Sequence, residues 1–283
     1  MAKKPIVAIM YDFDKTLSTR DMQEYSFIPK LGMTAKEFWA ETDRLAESEN
    51  MDKILAYLRL MLKKAAEKGV AVTRDKFVEL GKDIEYFPGV EDWFSRINEF
   101  GKSLGVVVEH YVISSGLKEI IEGSSVYKNF KQVYACEFLY DHNGVAVWLK
   151  TAVNYTNKTQ FLFRINKGAL ELYKDAELNG YTEEQSRRVP FRNMIYIGDG
   201  MTDVPCMKLV KLNGGQSVAV FKKRKKETAE KLIRENRVDY ITEANFTDGS
   251  ELDGIVKTAI EKISSEDKLA RLHVAHLKSI KEL

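Results

Sequence analysis

Asp12-Phe13-Asp14-Lys15-Thr16-Leu17 follows directly on the apolar run Ile6-Val7-Ala8-Ile9-Met10-Tyr11, and that abrupt change decides the reading of the fold. The run is continuous rather than alternating and leans towards β-branched residues. Such a pattern predicts a strand covered on both faces, as parallel sheets require. It is far too short for the core of a signal peptide or for a membrane span. Two carboxylates two residues apart, just past a buried strand, cannot both remain bare anions; a cation neutralises them or one is protonated. Taken alone, the pair also fits a helix cap and a turn. The ends of the other strands therefore carry the argument.

Two further segments repeat the pattern. Residues 106–113 read as a strand that stops at Ser114-Ser115-Gly116, and residues 194–197 as one that stops at Gly198-Asp199-Gly200. Residues 217–221 and 240–241 are later strand candidates, with helical patterns between them and a long helix expected from Glu251 to the end. Asp141-His142-Asn143-Gly144 sits between two β-prone runs and predicts a hairpin. Residues 156–173 read as helix, and residues 176–192 as a polar segment with a loop at Asn179-Gly180. The alternation predicts an α/β chain with a doubly wound, mostly parallel sheet, whose site lies at the carboxyl ends of its strands.

Residues 20–87 break the alternation. Thr34-Ala35-Lys36-Glu37 has capping-box spacing, residues 51–68 carry apolar side chains at helical intervals until Gly69, and a short helix is expected after Thr73. Phe87-Pro88-Gly89-Val90 is turn punctuation. The expected organisation is a discontinuous core, 1–19 and 88–283, with a small helical cap inserted at 20–87.

Phosphoryl transfer needs an in-line nucleophile, a metal and groups that stabilise the phosphoryl oxygens. Asp12 suits the nucleophile, since carboxylates form aspartyl-phosphates. Asp14, with a raised pKa, suits the general acid and then the general base. Ser114 could hold a phosphoryl oxygen, with Ser115 as its rival. Lys158, in Thr156-Asn157-Lys158-Thr159 at an expected helix start, is the candidate lysine, and Lys167 in Asn166-Lys167-Gly168 competes with it. Asp199 and Asp203 supply the remaining carboxylates, one for a metal and one to orient its surroundings.

These stretches resemble motifs of the haloacid dehalogenase superfamily, in particular its phosphoserine-phosphatase-like branch. Asp12 to Leu17 looks like the first motif, Val112-Ile113-Ser114-Ser115-Gly116 like the second, and Gly198-Asp199-Gly200-Met201-Thr202-Asp203-Val204-Pro205 like the fourth. The lone lysine of the third motif is matched least specifically. The resemblance spans about residues 6–220 and implies a Rossmann-like core, a helical cap after the first motif, and magnesium. It implies a catalytic set of Asp12, Asp14 and Lys158, and a substrate-binding set of Thr16, Ser114, Ser115 and Gly116. The metal would involve Asp12, Asp14 (through its backbone carbonyl), Asp199 and Asp203. Asp14 favours a phosphatase over a dehalogenase, which has no alkoxide to protonate. Phosphomutase or phosphotransferase chemistry is the alternative, and a non-catalytic phospho-ligand-binding module would be expected to have lost one of these acids. The cap segment does not show the Glu and Arg pattern with which phosphoserine phosphatases read their substrate, which argues against phosphoserine.

Composition narrows the partners. The 44 Lys and Arg nearly balance 42 Asp and Glu, and a net charge of +2 gives no reason to expect nucleic acid. The dense run Lys222-Lys223-Arg224-Lys225-Lys226 reads as a solvated loop and helix start. Hydrophobic residues at 44% allow a sizeable core. Two cysteines, Cys136 and Cys206, form no disulfide framework, so a reducing, cytoplasmic setting is expected. His273 and His276 lie three apart on the expected last helix with no evident third ligand, so no zinc site is expected. The expected partner is a small phosphorylated metabolite, with no membrane.

Overall fold

The computed structural model describes residues 4–281. The chain opens with β1 (Ile6–Tyr11) and passes into a helical stretch of α1 (Phe27–Lys30), α2 (Ala35–Ser48), α3 (Lys53–Glu67) and α4 (Arg74–Leu80). It then alternates: α5 (Val90–Ser103), β2 (Val107–Leu117), α6 (Lys118–Glu122), β3 (Phe130–Tyr140), β4 (Ala146–Thr151), α7 (Lys158–Lys167) and α8 (Asp175–Asn179). The last third adds β5 (Met194–Gly198), α9 (Val204–Leu212), β6 (Gln216–Phe221), α10 (Glu227–Arg234), β7 (Tyr240–Glu243) and α11 (Glu251–Lys281). No helix among the described residues is long and apolar enough to cross a membrane.

The seven strands form one sheet in the order β4-β3-β2-β1-β5-β6-β7. Every neighbouring pair is parallel except β3 with β4, which form the Asn143-Gly144 hairpin. The continuous apolar run of β1 is explained by its position: Val7 to Tyr11 are fully buried at the centre of the sheet. Each such aliphatic side chain contributes about 1.5–3 kcal/mol through burial. The strand order reverses at β1. The chain moves outward through β2 and β3 on one side, then returns to place β5 on the other. Ligands bind at such a switch point, beyond the carboxyl ends of the strands.

The capping box at Thr34 is present in full, with Glu37 N–H donating to the Thr34 hydroxyl and Thr34 N–H to the Glu37 carboxylate. Three elements differ from the sequence expectation. The β2 strand does not stop at Ile113 but runs to Leu117, with its register against β3 slipping between Ile113 and Leu117. The α7 helix is shorter than expected because Gly168, at φ 81°, closes it in the left-handed region. The apolar residues beyond it fold back over Arg164, whose guanidinium donates to the carbonyls of Glu171 (2.8 Å) and Leu172 (3.0 Å). The α8 helix enters the polar stretch 176–192 without a signal in the sequence and stops at Asn179, where the loop is expected.

The helical stretch packs on the core at two glycines. A Cβ on Gly123 would sit 1.7 Å from the Val78 carbonyl oxygen, and one on Gly81 2.2 Å from that of Ile120. The backbones around α4 and α6 therefore touch directly. Opposite them, Thr73 bridges to Val145 of the hairpin.

Candidate active site

Asp12 is the first residue beyond β1, and its N–H donates to the Ile197 carbonyl at 2.9 Å, which extends the β1–β5 pairing by one step. Its side chain is thereby aimed into the switch point between the two strands. Lys158, the first residue of α7, is fully buried, and its ammonium donates to Asp12 Oδ1 at 2.9 Å and to Asp203 Oδ1 at 2.8 Å. Asp203 is held a second way: the Tyr196 hydroxyl donates to the same oxygen at 2.8 Å, and Gly200 N–H donates to Oδ2 at 3.3 Å. One carboxylate oxygen each from Asp12, Asp199 and Asp203 lie within 4.8 Å of one another. Lys167 lies elsewhere. It donates to the carbonyls of Leu178 and Gly180, both at 2.6 Å.

Asp14 stands outside that acidic group. Its Oδ1 accepts the Met22 N–H at 2.8 Å, and its Oδ2 lies so close to Gly116 that a Cβ there would be 2.9 Å away. Gly116 is thus needed to leave room for this carboxyl. Between the two acids the chain turns sharply, with Lys15 in the left-handed region at φ 58°. Its ammonium pairs with Asp21 at 2.5 Å. The Ser114 hydroxyl accepts the Gly116 N–H at 3.0 Å. Ser114 and Ser115 both line the cavity over Asp12, and the Ser115 hydroxyl is buried without a protein partner. Thr16 lies behind the turn, fully buried, and its hydroxyl has no partner either.

The electrostatics follow from burial. Desolvation raises the Asp12 carboxyl above the usual carboxylate range; Lys158 opposes this and the charge of Asp203 adds to it. Desolvation likewise raises Asp14 well above that range, helped by the charges of Asp21 and Asp12. Asp199 is raised by burial and then by Asp12 and Asp203. Burial works to lower Lys158, but Asp12 and Asp203 outweigh it and hold the ammonium charged. Several acids crowded around one cation are short of positive charge, and hard oxygen donors of this kind suit magnesium.

A cavity of about 460 Å³ opens above these groups. The core supplies its floor, including Asp12, Asp14, Ser114, Lys158 and Asp199, while Gln23, Trp39, Lys53, Ile54 and Tyr57 come from the helical stretch. The Tyr57 hydroxyl donates to the Ser115 carbonyl at 2.5 Å, joining α3 to the end of β2. Asn154 reaches Asp52 at 2.9 Å beside it. Phe27 and Phe38 are buried as core, whereas Trp39 is only partly so and faces the cavity. Sequence reasoning did not single out Tyr196, Tyr57, Gln23 or the Lys15–Asp21 pair. Tyr196 lies in an unbroken apolar strand, and its role exists only once Asp203 is folded against it.

Known proteins resemble the chain in sequence and in fold. A family model described as haloacid dehalogenase-like hydrolase matches residues 9–208. An uncharacterized protein of Borreliella burgdorferi is 29% identical over 280 residues, covering 88% of this chain and 95% of its own. A HAD-family hydrolase of Salmonella enterica serovar Typhi has a similar structure, with a TM-score of 0.55 at 17% identity over 86% of this chain and 69% of its own. A phosphoserine phosphatase, solved as an analogue of its phospho-aspartyl intermediate, has a TM-score of 0.55 at 17% identity over 90% of this chain and 99% of its own. At these identities the structural likeness is one of fold.

Proposed function

The chain belongs to the haloacid dehalogenase-like hydrolases, and on that premise we propose that it is a magnesium-dependent phosphatase acting on a small phosphomonoester through Asp12. One arrangement carries the reading. Lys158 donates to one oxygen of Asp12 at the floor of the cavity, while Asp14 stands beside it in surroundings that favour its protonated form. Nucleophile and acid thus have separate environments, which divides the two roles between two similar carboxyls.

In the first step a carboxylate oxygen of Asp12 attacks phosphorus. The ester bond to the leaving oxygen breaks, and Asp14 gives that oxygen its proton. In the second step Asp14 takes a proton from water, the water oxygen attacks the aspartyl-phosphate, and Asp12 is released with inorganic phosphate. Ser114 and Ser115 and the ammonium of Lys158 stabilise the phosphoryl oxygens. Asp12 and Asp199 would hold magnesium with the backbone carbonyl of Asp14, and Asp203 would orient this set through Lys158. When bound, the ion supplies charge that neutralises the carboxylates and phosphate together. Residues 20–87 act as the cap, closing over the ester and keeping out bulk water. A cavity of about 460 Å³ suits a small metabolite.

The test is hydrolysis of para-nitrophenyl phosphate with and without magnesium by the wild-type protein and Asp12→Asn. Turnover by the wild type alone, and only with the metal, is expected, with a loss of at least about a thousandfold in the variant. Unchanged turnover by Asp12→Asn would refute the mechanism.

A further inference from the structure

The basic run 222–226, which composition alone reads as a solvated loop, lies at the carboxyl end of β6, on the same edge of the sheet as Asp12. Its backbone is sharply turned. Arg224 is in the left-handed region at φ 66°, and Lys225 N–H donates to the Lys222 carbonyl at 2.8 Å. Lys222 and Lys225 thereby border a cavity of about 290 Å³, with Arg20 and Thr228 also in its wall. That cavity shares Lys15 and Asp199 with the one above Asp12, so the two are adjacent chambers with a common wall.

Two lysines of the second chamber, Lys222 and Lys225, have no carboxylate partner among the described residues. Lys15, Arg20, Lys222 and Lys225 face it, against the carboxylates of Glu24 and Asp199. Glu24 is engaged by the Trp39 indole N–H at 2.8 Å, and Asp199 belongs to the acidic group at the switch point. Lys15 is held by Asp21, and Arg20 pairs with Glu85 at 3.3 Å and lies over the Tyr25 ring, 4.4 Å from its centre. Within the run itself only Lys226 has a carboxylate partner among the described residues, Glu230 at 2.7 Å. Lys222 and Lys225, unpaired among the described residues and in a recess next to the cavity over Asp12, suit an anion through charge-assisted hydrogen bonds. The recess is too small for a polymer, and a chain with a net charge of +2 has no excess of basic residues for nucleic acid.

We propose that this second chamber binds a second anionic group, phosphate or carboxylate, of the same molecule whose phosphate lies on Asp12. The substrate is then a small bis-anionic phosphate ester. The inference rests on the phosphatase reading above and narrows its substrate class.

The experiment compares a series of alkanediol bisphosphates of increasing length with the matching hydroxyalkyl monophosphates, at fixed magnesium and ionic strength. The readout is the ratio of kcat/KM for bisphosphate over monophosphate within each protein, for wild type and the double variant Lys222→Gln/Lys225→Gln. Both lysines are exposed, and a thermal melt confirms that the variant is folded. The wild type is expected to prefer the bisphosphate by about tenfold at one chain length, through KM, and the variant to lose most of that preference. A ratio near one at every length, or a preference that survives in the variant, overturns the proposal. Inorganic sulfate, added with para-nitrophenyl phosphate as substrate, identifies a separate ion as the occupant. If sulfate alters that turnover in the wild type but not in the variant, while the bisphosphate ratio stays near one, the second group does not belong to the substrate. Absence of magnesium-dependent hydrolysis of every ester sinks the phosphatase reading itself. Hydrolysis without preference sinks only the bis-anionic class.

Discussion

Lys158 is the residue on which the charges at the switch point depend. Its ammonium is fully buried and is shared between Asp12 and Asp203, each itself almost inaccessible. Removing one partner of a buried pair costs about 3–5 kcal/mol, because the remaining charge is left uncompensated. Lys158→Gln should therefore lower the urea-unfolding free energy by about that amount in the presence of a chelator. Added magnesium should restore part of the loss, since the cation replaces the missing charge. A loss below about 1 kcal/mol would mean that the buried contact of Lys158 with Asp12 is not ionic. This residue was readable in the sequence only as one of two lysines. Residue types at strand ends identified the acids, because aspartates just past buried strands need a cation. Choosing Lys158 over Lys167 needed the helix start that points one ammonium at Asp12 and the reversed chain after Gly168 that draws the other towards Leu178 and Gly180. Tyr196 and the left-handed Lys15 left no mark in the sequence, because both depend on contacts between segments far apart or on a turn that any residue type can occupy at a cost.

Elements were readable where local pattern and burial agree, and misjudged where tertiary contacts overrule the pattern. The β1 strand and the Thr34 capping box belong to the first kind. The β2 strand belongs to the second, since Ser114-Ser115-Gly116 reads as a stop but stays extended against its neighbours. The same strand carries His110, whose Nδ1 meets the Tyr11 hydroxyl at 2.9 Å while Trp93 Nε1 donates to that hydroxyl at 2.8 Å. Burial pushes His110 down from 6.5 to about 3, so it is neutral in the folded chain where the unfolded chain takes up a proton. The sign is fixed: no penalty exists above pH 6.5, and stability is lost as pH falls from there towards 3. Measured as the difference between wild type and His110→Gln, unfolding free energy should fall by about 2 kcal/mol more in the wild type between pH 6.5 and 5. Parallel pH curves would show that His110 is protonated in the folded state. The contact of α4 with α6 gives a second expectation. Gly123→Ala places a methyl 1.7 Å from a backbone oxygen that cannot rotate away. It should cost about 1–3 kcal/mol in urea unfolding by forcing the two helices apart. A change within about 0.5 kcal/mol would show that the helices separate freely.

At the scale of the whole molecule, the sheet order explains why motifs nearly two hundred residues apart form one site. Reversal of strand order at β1 leaves a crevice between β1 and β5, and the residues that follow these two strands, Asp12 and Asp199, meet there. Sequence alone could order the strands along the chain but not across the sheet, because pairing of parallel strands depends on crossovers rather than on adjacent turns. The folded crevice gathers acids that the unfolded chain keeps apart, so a cation that binds them binds the native state alone. Magnesium should therefore raise the melting temperature, and the stabilisation should grow with the logarithm of its concentration, reaching about 2.7 kcal/mol at a hundred times the dissociation constant. Calcium, which takes more oxygen ligands, should support this shift less well than magnesium, because the crevice offers few carboxylates. Asp199→Asn should abolish the magnesium-dependent shift without lowering the metal-free melt, because it removes a buried negative charge that Asp12 and Asp203 repel. A melting temperature indifferent to magnesium in the wild type would mean that Lys158 alone satisfies the crevice, and the metal-dependent mechanism would then have no site to act from.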